Sequence, residues 1–263
     1  MTQDYLILDG SYYCFYRYHA LKQWWGFARK EDALQENHDA FLEKFREVFV
    51  SKLKELPKTL KLENFTFILG KDCPRKDIWR MKLYPEYKAS RDSHTDELLK
   101  KCFQLVYSEH LFQEGGIVKT LFHPHLEADD VIALHTKHLR EKEPDAFIHI
   151  VTSDTDYIQL LQDNVELYTL NKTLLRNSKG FDGNVEKYLF CKCVMGDKSD
   201  NIPSAFPKCG PKTAEKCWNQ PEFFQEKLKD PRVQQQYELN RTLIDFKHIP
   251  NEFTILLLKY PNL

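Results

Sequence analysis

Short apolar runs alternate with longer mixed stretches along the first two thirds of the chain. Residues 5–9, 65–69 and 147–152 are runs rich in Ile, Val, Phe and Tyr, each too short for a helix and separated from the next by enough chain to hold one. That alternation predicts βαβ units and a mainly parallel sheet covered on both faces. A further run, 165–170, fits a strand at the sheet edge. Between the strands, residues 39–53 place Phe41, Leu42, Phe45, Val48 and Phe49 at helical spacing. Residues 96–112 do the same with Leu98, Leu99, Cys102, Leu105 and Val106, and Gly115-Gly116 marks the stop. Residues 127–139 form a third helix, with Val131, Ile132 and Leu134 turned inward and Glu127 and Asp130 on one face of its first turn. Beyond about residue 181 the strand pattern stops, and 184–194, 211–218 and 221–228 read as helices. The expected fold class is α/β: a sheet domain over residues 1–183, continuous with a small helical lobe over 184–263.

The polar positions carry their own pattern. Asp9, Asp72 and Asp154 fall at or just past the ends of the three main runs, the edge of an open parallel sheet where ligands bind. Other acids come in groups: Glu127-Ala-Asp129-Asp130, Asp154-Thr-Asp156 and Asp197-Lys-Ser-Asp200. Two unit charges ~4 Å apart repel by ~4 kcal/mol at an effective dielectric of 20. A fold that converges several carboxylates therefore calls for divalent cations between them, and oxygen-only ligands suit Mg²⁺ or Mn²⁺. Taken singly, each pair is ordinary turn or helix-cap chemistry. Their joint placement points instead to metal-dependent phosphate chemistry.

Composition narrows the picture further. With 263 residues, 42% hydrophobic and 29% charged, the chain has the make-up of a soluble globular protein with a sizeable core. The net charge of −1 gives no overall basic surface for nucleic acid. Locally, residues 71–91 hold seven basic side chains (Lys71, Arg75, Lys76, Arg80, Lys82, Lys88, Arg91) against three acidic ones (Asp72, Asp77, Glu86), a stretch of +4. The seven cysteines show no CxxC pair and read as free thiols of a reducing compartment. No apolar run reaches membrane-spanning length and the first residues lack a signal peptide's pattern, so an intracellular location is expected. Gly210-Pro-Lys-Thr213 lacks the spacing of a phosphate-binding P-loop, no GxGxxG occurs, and Asp9-Gly-Ser lacks the second Asp of a phosphatase nucleophile motif.

Five stretches in order make the chain resemble the 5′ nuclease superfamily, including the stand-alone phage 5′ exonucleases, the flap endonucleases and the 5′-nuclease domain of bacterial DNA polymerase I. They are Ile7-Leu-Asp9-Gly-Ser-Tyr; Trp79-Arg80 with Tyr84-Pro-Glu-Tyr-Lys88-Ala-Ser-Arg91; Glu127-Ala-Asp-Asp-Val-Ile132; Thr152-Ser-Asp-Thr-Asp156; and Met195-Gly-Asp-Lys-Ser-Asp-Asn-Ile-Pro203 followed by Gly210-Pro-Lys-Thr-Ala214. Each is weak alone; the ordered set spans nearly the whole chain. The resemblance implies a PIN-like parallel sheet, a helical arch at about residues 80–114 and a helix-hairpin DNA-binding lobe. It also implies two Mg²⁺ ions, replaceable by Mn²⁺. Asp9, Asp72, Glu127, Asp129 and Asp130 would hold the first, and Asp154, Asp156, Asp197 and Asp200 the second.

By the same resemblance, Lys88, Arg91 and Asp130 belong to the catalytic set. Arg80, Tyr87, Lys88 and Arg91 would meet the DNA at the arch, with Tyr87 stacking on an unpaired base. The aromatic run Tyr12, Tyr13, Phe15 and Tyr16 offers further stacking surfaces or plain core. Lys208, Gly210, Lys212, Thr213 and Lys216 would grip duplex phosphates at the hairpin without reading bases, with K⁺ beside them. Three departures stand out: Lys208-Cys209-Gly210 replaces the family's Gly-x-Gly, Tyr16 replaces a basic residue, and Asp72 is shifted along its strand end. The implied activity is 5′-3′ exonuclease and flap-endonuclease cleavage of DNA flaps, nicks and 5′ ends, or of RNA primers in RNA–DNA hybrids, by a monomer. A PIN-class ribonuclease and a non-catalytic duplex-binding scaffold remain the alternatives.

Overall fold

The computed structural model describes residues 3–28, 38–90 and 96–253. β1 (Asp4–Asp9), β2 (Phe65–Gly70), β3 (Lys119–Leu121), β4 (Ile148–Val151) and β5 (Val165–Tyr168) form an all-parallel sheet in the order β3-β2-β1-β4-β5. The chain lays strands on one side of β1 and then crosses to the other. The reversal falls between β1 and β4, and ligands of open parallel sheets bind at such a point. Register aligns the strand ends: Asp9 lies beside Gly70, and Leu8 beside Val151.

Alternation along the strands sorts their side chains between two layers. On one face, Ile7, Ile68, Ile148 and Ile150 pack with Val131, Ile132 and Leu139. On the other, Leu6, Leu8, Phe67, Leu69 and Val151 meet Tyr13, Phe41, Phe45, Phe49, Leu98 and Cys102. Both faces are dry, which is why the strands read as near-continuous apolar runs. Helices α1 (Gly10–Ala28), α2 (His38–Thr59), α3 (Trp79–Leu83), α4 (Glu97–Ser108) and α5 (Leu111–Glu114) follow β1 and β2, and α6 (Ala128–Lys142) precedes β4. A Cβ on Gly70, at the end of β2, would sit 2.4 Å from the Ile132 side chain of α6, which would have to shift to admit it.

The helix expected over 96–112 is split. Asp96 caps α4 by accepting from the Leu98 N–H, and His110 enters the left-handed region (φ 54°) before α5 begins. Within the stretch expected to arch, α4 is anchored rather than free, burying Leu98, Leu99, Cys102 and Val106 against the α1–α2 layer. Residues 91–95 lie outside the described residues. Helices α1 and α3 and strand β3 escape the sequence patterns. The aromatic residues of α1 ring the helix and hide its period, while β3 is only three residues long.

The lobe consists of α7 (Val185–Met195), α8 (Pro211–Asn219), α9 (Pro221–Leu228) and the unforeseen α10 (Pro231–Ile244). Gly196 ends α7 at φ 71°, where a Cβ would fall 2.3 Å from the Pro203 carbonyl oxygen; only glycine makes this turn into the Asp197–Ile202 bridge. α10 ties the lobe to the sheet domain. Its fully buried Asn240 donates to the carbonyls of Cys193 and Pro203, both at 2.9 Å. Leu243 and Ile244 join Cys73, Ile78, Tyr87, Cys193 and Ile202 in a shared apolar cluster. Among the described residues no helix is long and apolar enough to cross a membrane.

Candidate active site

The C-terminal strand ends and the start of α6 enclose a cavity of about 360 Å³ lined by Asp9, Asp72, Glu127, Asp129, Asp154 and Lys88 among others. Asp9 ends β1; its Oδ1 accepts the Tyr12 N–H (3.0 Å) and its Oδ2 the Thr152 hydroxyl (3.2 Å). Asp72, two residues past β2, accepts the Ala128 N–H at the start of α6 (2.8 Å) and the Ser11 hydroxyl. Glu127 is the N-cap of α6 in a reciprocal capping box with Asp130. Asp129 points into the cavity and takes the Asp130 N–H (2.8 Å). Asp154 follows β4 and accepts the Asp156 N–H (2.9 Å). Backbone N–H groups and hydroxyls thus aim each acid, but they bring little positive charge.

The electrostatic consequence is clear. Burial, then Asp72 and Asp154, push the Asp9 carboxyl up to about 7. Burial, followed by Asp130 and Glu127, holds Asp129 well above the usual carboxylate range. Asp72 is raised as well, chiefly by burial. Glu127 goes the other way: burial opposes its charge, yet Lys88 and Arg80 keep it below its ordinary value. Burial and mutual repulsion push Asp9, Asp72 and Asp129 toward protonation, and the oxygen-only donors of the cavity fit a hard divalent ion. Oxygens of Glu127, Asp129 and Asp130 lie within 4.8 Å of one another.

Asp130 stays a candidate ligand within that group, but its expected role as catalyst is corrected to support. It is fully buried and lies off the cavity wall. Both its oxygens are taken, Oδ1 by Arg80 Nη2 (2.6 Å) and Oδ2 by Arg80 Nη1 (2.8 Å), Trp79 Nε1 (2.9 Å) and the Glu127 N–H (3.2 Å). Arg80 is corrected with it. Only 2% exposed, it is spent on Asp130, Glu127 and the Leu243 carbonyl and cannot reach DNA. Tyr87 is the third correction: it too is 2% exposed, and its hydroxyl donates to Glu127 (2.9 Å) and Asp200 (3.0 Å), so its ring is not available to stack on a base. Arg91 lies outside the described residues.

The remaining acids divide. Asp200 sits with Tyr87 and 3.7 Å from Lys88 Nζ, whose ammonium also meets Glu127. Asp156 and Asp197 share Lys192 of α7. Lys208, Lys212 and Lys216 are exposed around the start of α8, where Gly210 is the N-cap and accepts the Thr213 N–H (3.0 Å).

Residues 4–187 match the family described as 5′-3′ exonuclease, N-terminal resolvase-like domain. The chain belongs to that family. It is 30% identical over 215 residues to the 5′-3′ exonuclease of Buchnera aphidicola subsp. Acyrthosiphon pisum, covering 80% of this chain and 68% of the relative. It is 29% identical over 196 residues to that of Halalkalibacterium halodurans, covering 72% and 61%. DNA polymerase I of Mycobacterium bovis is 32% identical over 149 residues, 54% of this chain but 16% of the polymerase. Among solved structures, a bacteriophage T5 flap endonuclease in a pseudo-enzyme-product complex with DNA and metal ions superposes with a TM-score of 0.67 at 20% identity, covering 98% of each chain. A T5 5′-exonuclease with divalent metal ions (zinc) bound gives 0.67 at 19%, covering 98% of this chain and 99% of that one. These likenesses carry the fold: a mostly parallel sheet flanked by helices.

In this 5′-3′ exonuclease, sequence reasoning overlooked Ser11, Thr152 and Lys192. Ser11 and Thr152 adjoin acids already singled out, so a search for hydroxyls next to them would have found both. Lys192 stands alone on a helix and gives no such signal. The raised acids also set a pH dependence. Between about pH 4 and 7 the folded, metal-free protein keeps protons that the unfolded chain releases, and the stability this lends is lost as pH rises through about 7. A divalent cation competes with those protons. The rise in Tm on adding MgCl₂ is therefore expected to be small at about pH 6 and several degrees larger at about pH 8. Equal increments at both, read by scanning calorimetry, would contradict this.

Proposed function

We propose that this nuclease is a structure-selective, divalent-metal-dependent 5′-3′ exonuclease and flap endonuclease, acting on DNA 5′ ends, nicks, flaps or RNA primers during replication. The observation that carries the reading is the meeting of Asp9, Asp72, Glu127, Asp129 and Asp154 around one cavity at the sheet edge. Two Mg²⁺ ions, for which Mn²⁺ can substitute, are the proposed counter-charges. Such a pair, when bound, supplies an acidified water and steadies the leaving oxygen of an in-line displacement. The T5 relatives, solved with DNA and with metal ions, support the reading.

The chain's own groups do the remaining work. Asp9, Asp72, Glu127, Asp129 and Asp130 are the proposed ligands of the first ion, and Asp154, Asp156, Asp197 and Asp200 those of the second. Glu127, which also accepts the Tyr87 hydroxyl, holds Lys88 against the cavity wall, from which its ammonium can pair with a phosphate oxygen. Arg91 joins it in this role. Phe15 lines the same cavity, is 44% exposed and rests edge-to-face on Phe103 at 5.1 Å, so it takes over the stacking expected of Tyr87. Lys208, Lys212, Thr213 and Lys216 grip duplex phosphates, with K⁺ at the hairpin, in a monomer located inside the cell.

A labelled 5′-flap duplex in Mg²⁺ tests the reading. Release of the flap is expected to stop when Asp154→Asn and Asp156→Asn are combined, and cleavage that survives would rule out the site. Single-stranded RNA cut in preference to flap DNA would favour a ribonuclease instead. At the hairpin, Lys212→Ala is expected to weaken duplex binding alike for all sequences and to lower the logarithmic salt slope by roughly 0.9, the share of one phosphate. A loss confined to particular sequences, seen by fluorescence anisotropy, would contradict backbone recognition.

A further inference from the structure

Tyr188, Cys191 and Met195 recur at helical spacing on α7, and with Phe181 they line a second cavity, of about 560 Å³, bounded by the start of α8. All four are half-buried, so their apolar surface faces the opening instead of closing over it. The Phe181 and Tyr188 rings meet edge to face at 5.6 Å. The same wall carries four lysines against three acids. Lys187 holds two of those acids, Asp182 at 2.8 Å and Glu215 at 2.7 Å. Lys198 and Lys212 are exposed, and among the described residues no acid pairs with either. The volume falls within the roughly 300–1,000 Å³ of small-molecule sites. Aromatic and thioether surface beside unpaired ammonium groups suits a ligand that is flat and apolar at one end and anionic at the other.

We propose that this cavity is a nucleotide site, taking a base against Phe181, Tyr188 and Met195 and its 5′-phosphate at Lys198 and Lys212. Two sources share that chemistry: a mononucleotide released by the 5′-3′ exonuclease, and an unpaired nucleotide of a bound strand. The idea rests on the function proposed above for the kind of nucleotide at hand. Binding itself needs neither a divalent ion nor cleavage, so it can be read with both silenced.

Protection of Cys191 from alkylation reads occupancy in the full chain, with Cys209, half-buried but off the cavity wall, as internal control. Burial pushes both thiols up to about 11, so labelling with iodoacetamide is run near about pH 9, in EDTA, and mapped by mass spectrometry. Deoxyadenosine 5′-monophosphate is expected to slow labelling of Cys191 several-fold and to leave Cys209 unchanged. Deoxyadenosine, without the phosphate, and deoxyribose 5-phosphate, without the base, are expected to have little effect at the same concentration. Lys198→Ala, a surface exchange, and Phe181→Leu are each expected to weaken the protecting nucleotide about tenfold. A 5′-flap duplex that protects where a fully paired duplex does not assigns the site to the unpaired strand; protection by the mononucleotide alone assigns it to released product. The site is overturned if Cys191 reacts at one rate with and without the mononucleotide and the flap duplex, or if deoxyribose 5-phosphate protects equally. Protection that survives both exchanges, or that only duplexes give and the fully paired one gives as well as the flap, would overturn it too. Failure of the nuclease reading would show instead in the Mg²⁺ flap assay and leave these outcomes legible.

Discussion

Asp129→Asn is expected to lower flap cleavage by about 10³-fold while raising the stability of the metal-free protein. The two effects have one cause. Asp129 is half-buried on the cavity wall beside Asp130 and Glu127, where desolvation and repulsion make a poor place for a negative charge unless a cation offsets it. Asparagine keeps the shape and can keep the bond that the Asp130 N–H donates. It removes the charge that would hold the ion, and about 4 kcal/mol of transition-state stabilisation corresponds to the expected loss. In EDTA the same change relieves repulsion, with a gain of about 1–2 kcal/mol, or ~2–8 °C in Tm. The sign with pH follows from a folded-state pKa raised above its unfolded value. Below about pH 3 both states are largely protonated, and the wild type loses little to the variant. As pH rises, the wild type must either keep its proton or ionise a buried group, so the variant's advantage grows. Urea denaturation in EDTA at several pH values reads this directly. Cleavage within tenfold of wild type would remove Asp129 from the metal shell, and a destabilised variant would mean that its charge is offset within the protein.

The sequence exposed those parts of the site that local pattern controls. Asp9 was legible because it closes an apolar run, and Asp154 because it follows another; strand ends in a parallel sheet share an edge, so their meeting was implied. What stayed hidden depends on partners far along the chain. Tyr87 lies among polar residues and reads as surface, yet its hydroxyl is claimed by Glu127, 40 residues on, and Asp200, 113 residues on. Arg80 counted toward a basic stretch until its partner 50 residues away drew it inward. Local charge sums cannot tell a cation that faces solvent from one that neutralises a buried acid. The lobe shows the same limit differently. Asp230-Pro231 is a helix-start signal, and Asp230 does cap α10 by accepting from the Arg232 N–H. The polar residues that follow carry too weak an apolar stripe to announce the helix, and its decisive residue is the buried Asn240.

Arg80→Met is expected to cost about 3–5 kcal/mol of stability, among the largest losses from a single exchange in this protein. The guanidinium is enclosed between Asp130 and Glu127, lies with its carbon 4.7 Å from the Trp79 ring centre, and donates through Nε to the Leu243 carbonyl of α10 at 2.7 Å. It therefore joins α3, α6 and the lobe at one buried point. Methionine fills much of the volume but leaves Asp130 without its cation and Leu243 without its donor, and an uncompensated buried charge is the expensive part. With Tm moving ~2–4 °C per kcal/mol in a chain of this size, a fall of roughly 10 °C is expected. Adding Asp130→Leu should recover at least half of it, because the pair is then removed together; the double-mutant cycle measures the coupling. DNA binding separates this account from the one in which Arg80 touches the strand. If Arg80 is structural, the folded variant keeps the wild-type salt slope of duplex binding, and cleavage falls only as far as Glu127 and Lys88 lose their positions. Unchanged stability with a salt slope reduced by roughly 0.9 would instead return Arg80 to the DNA interface.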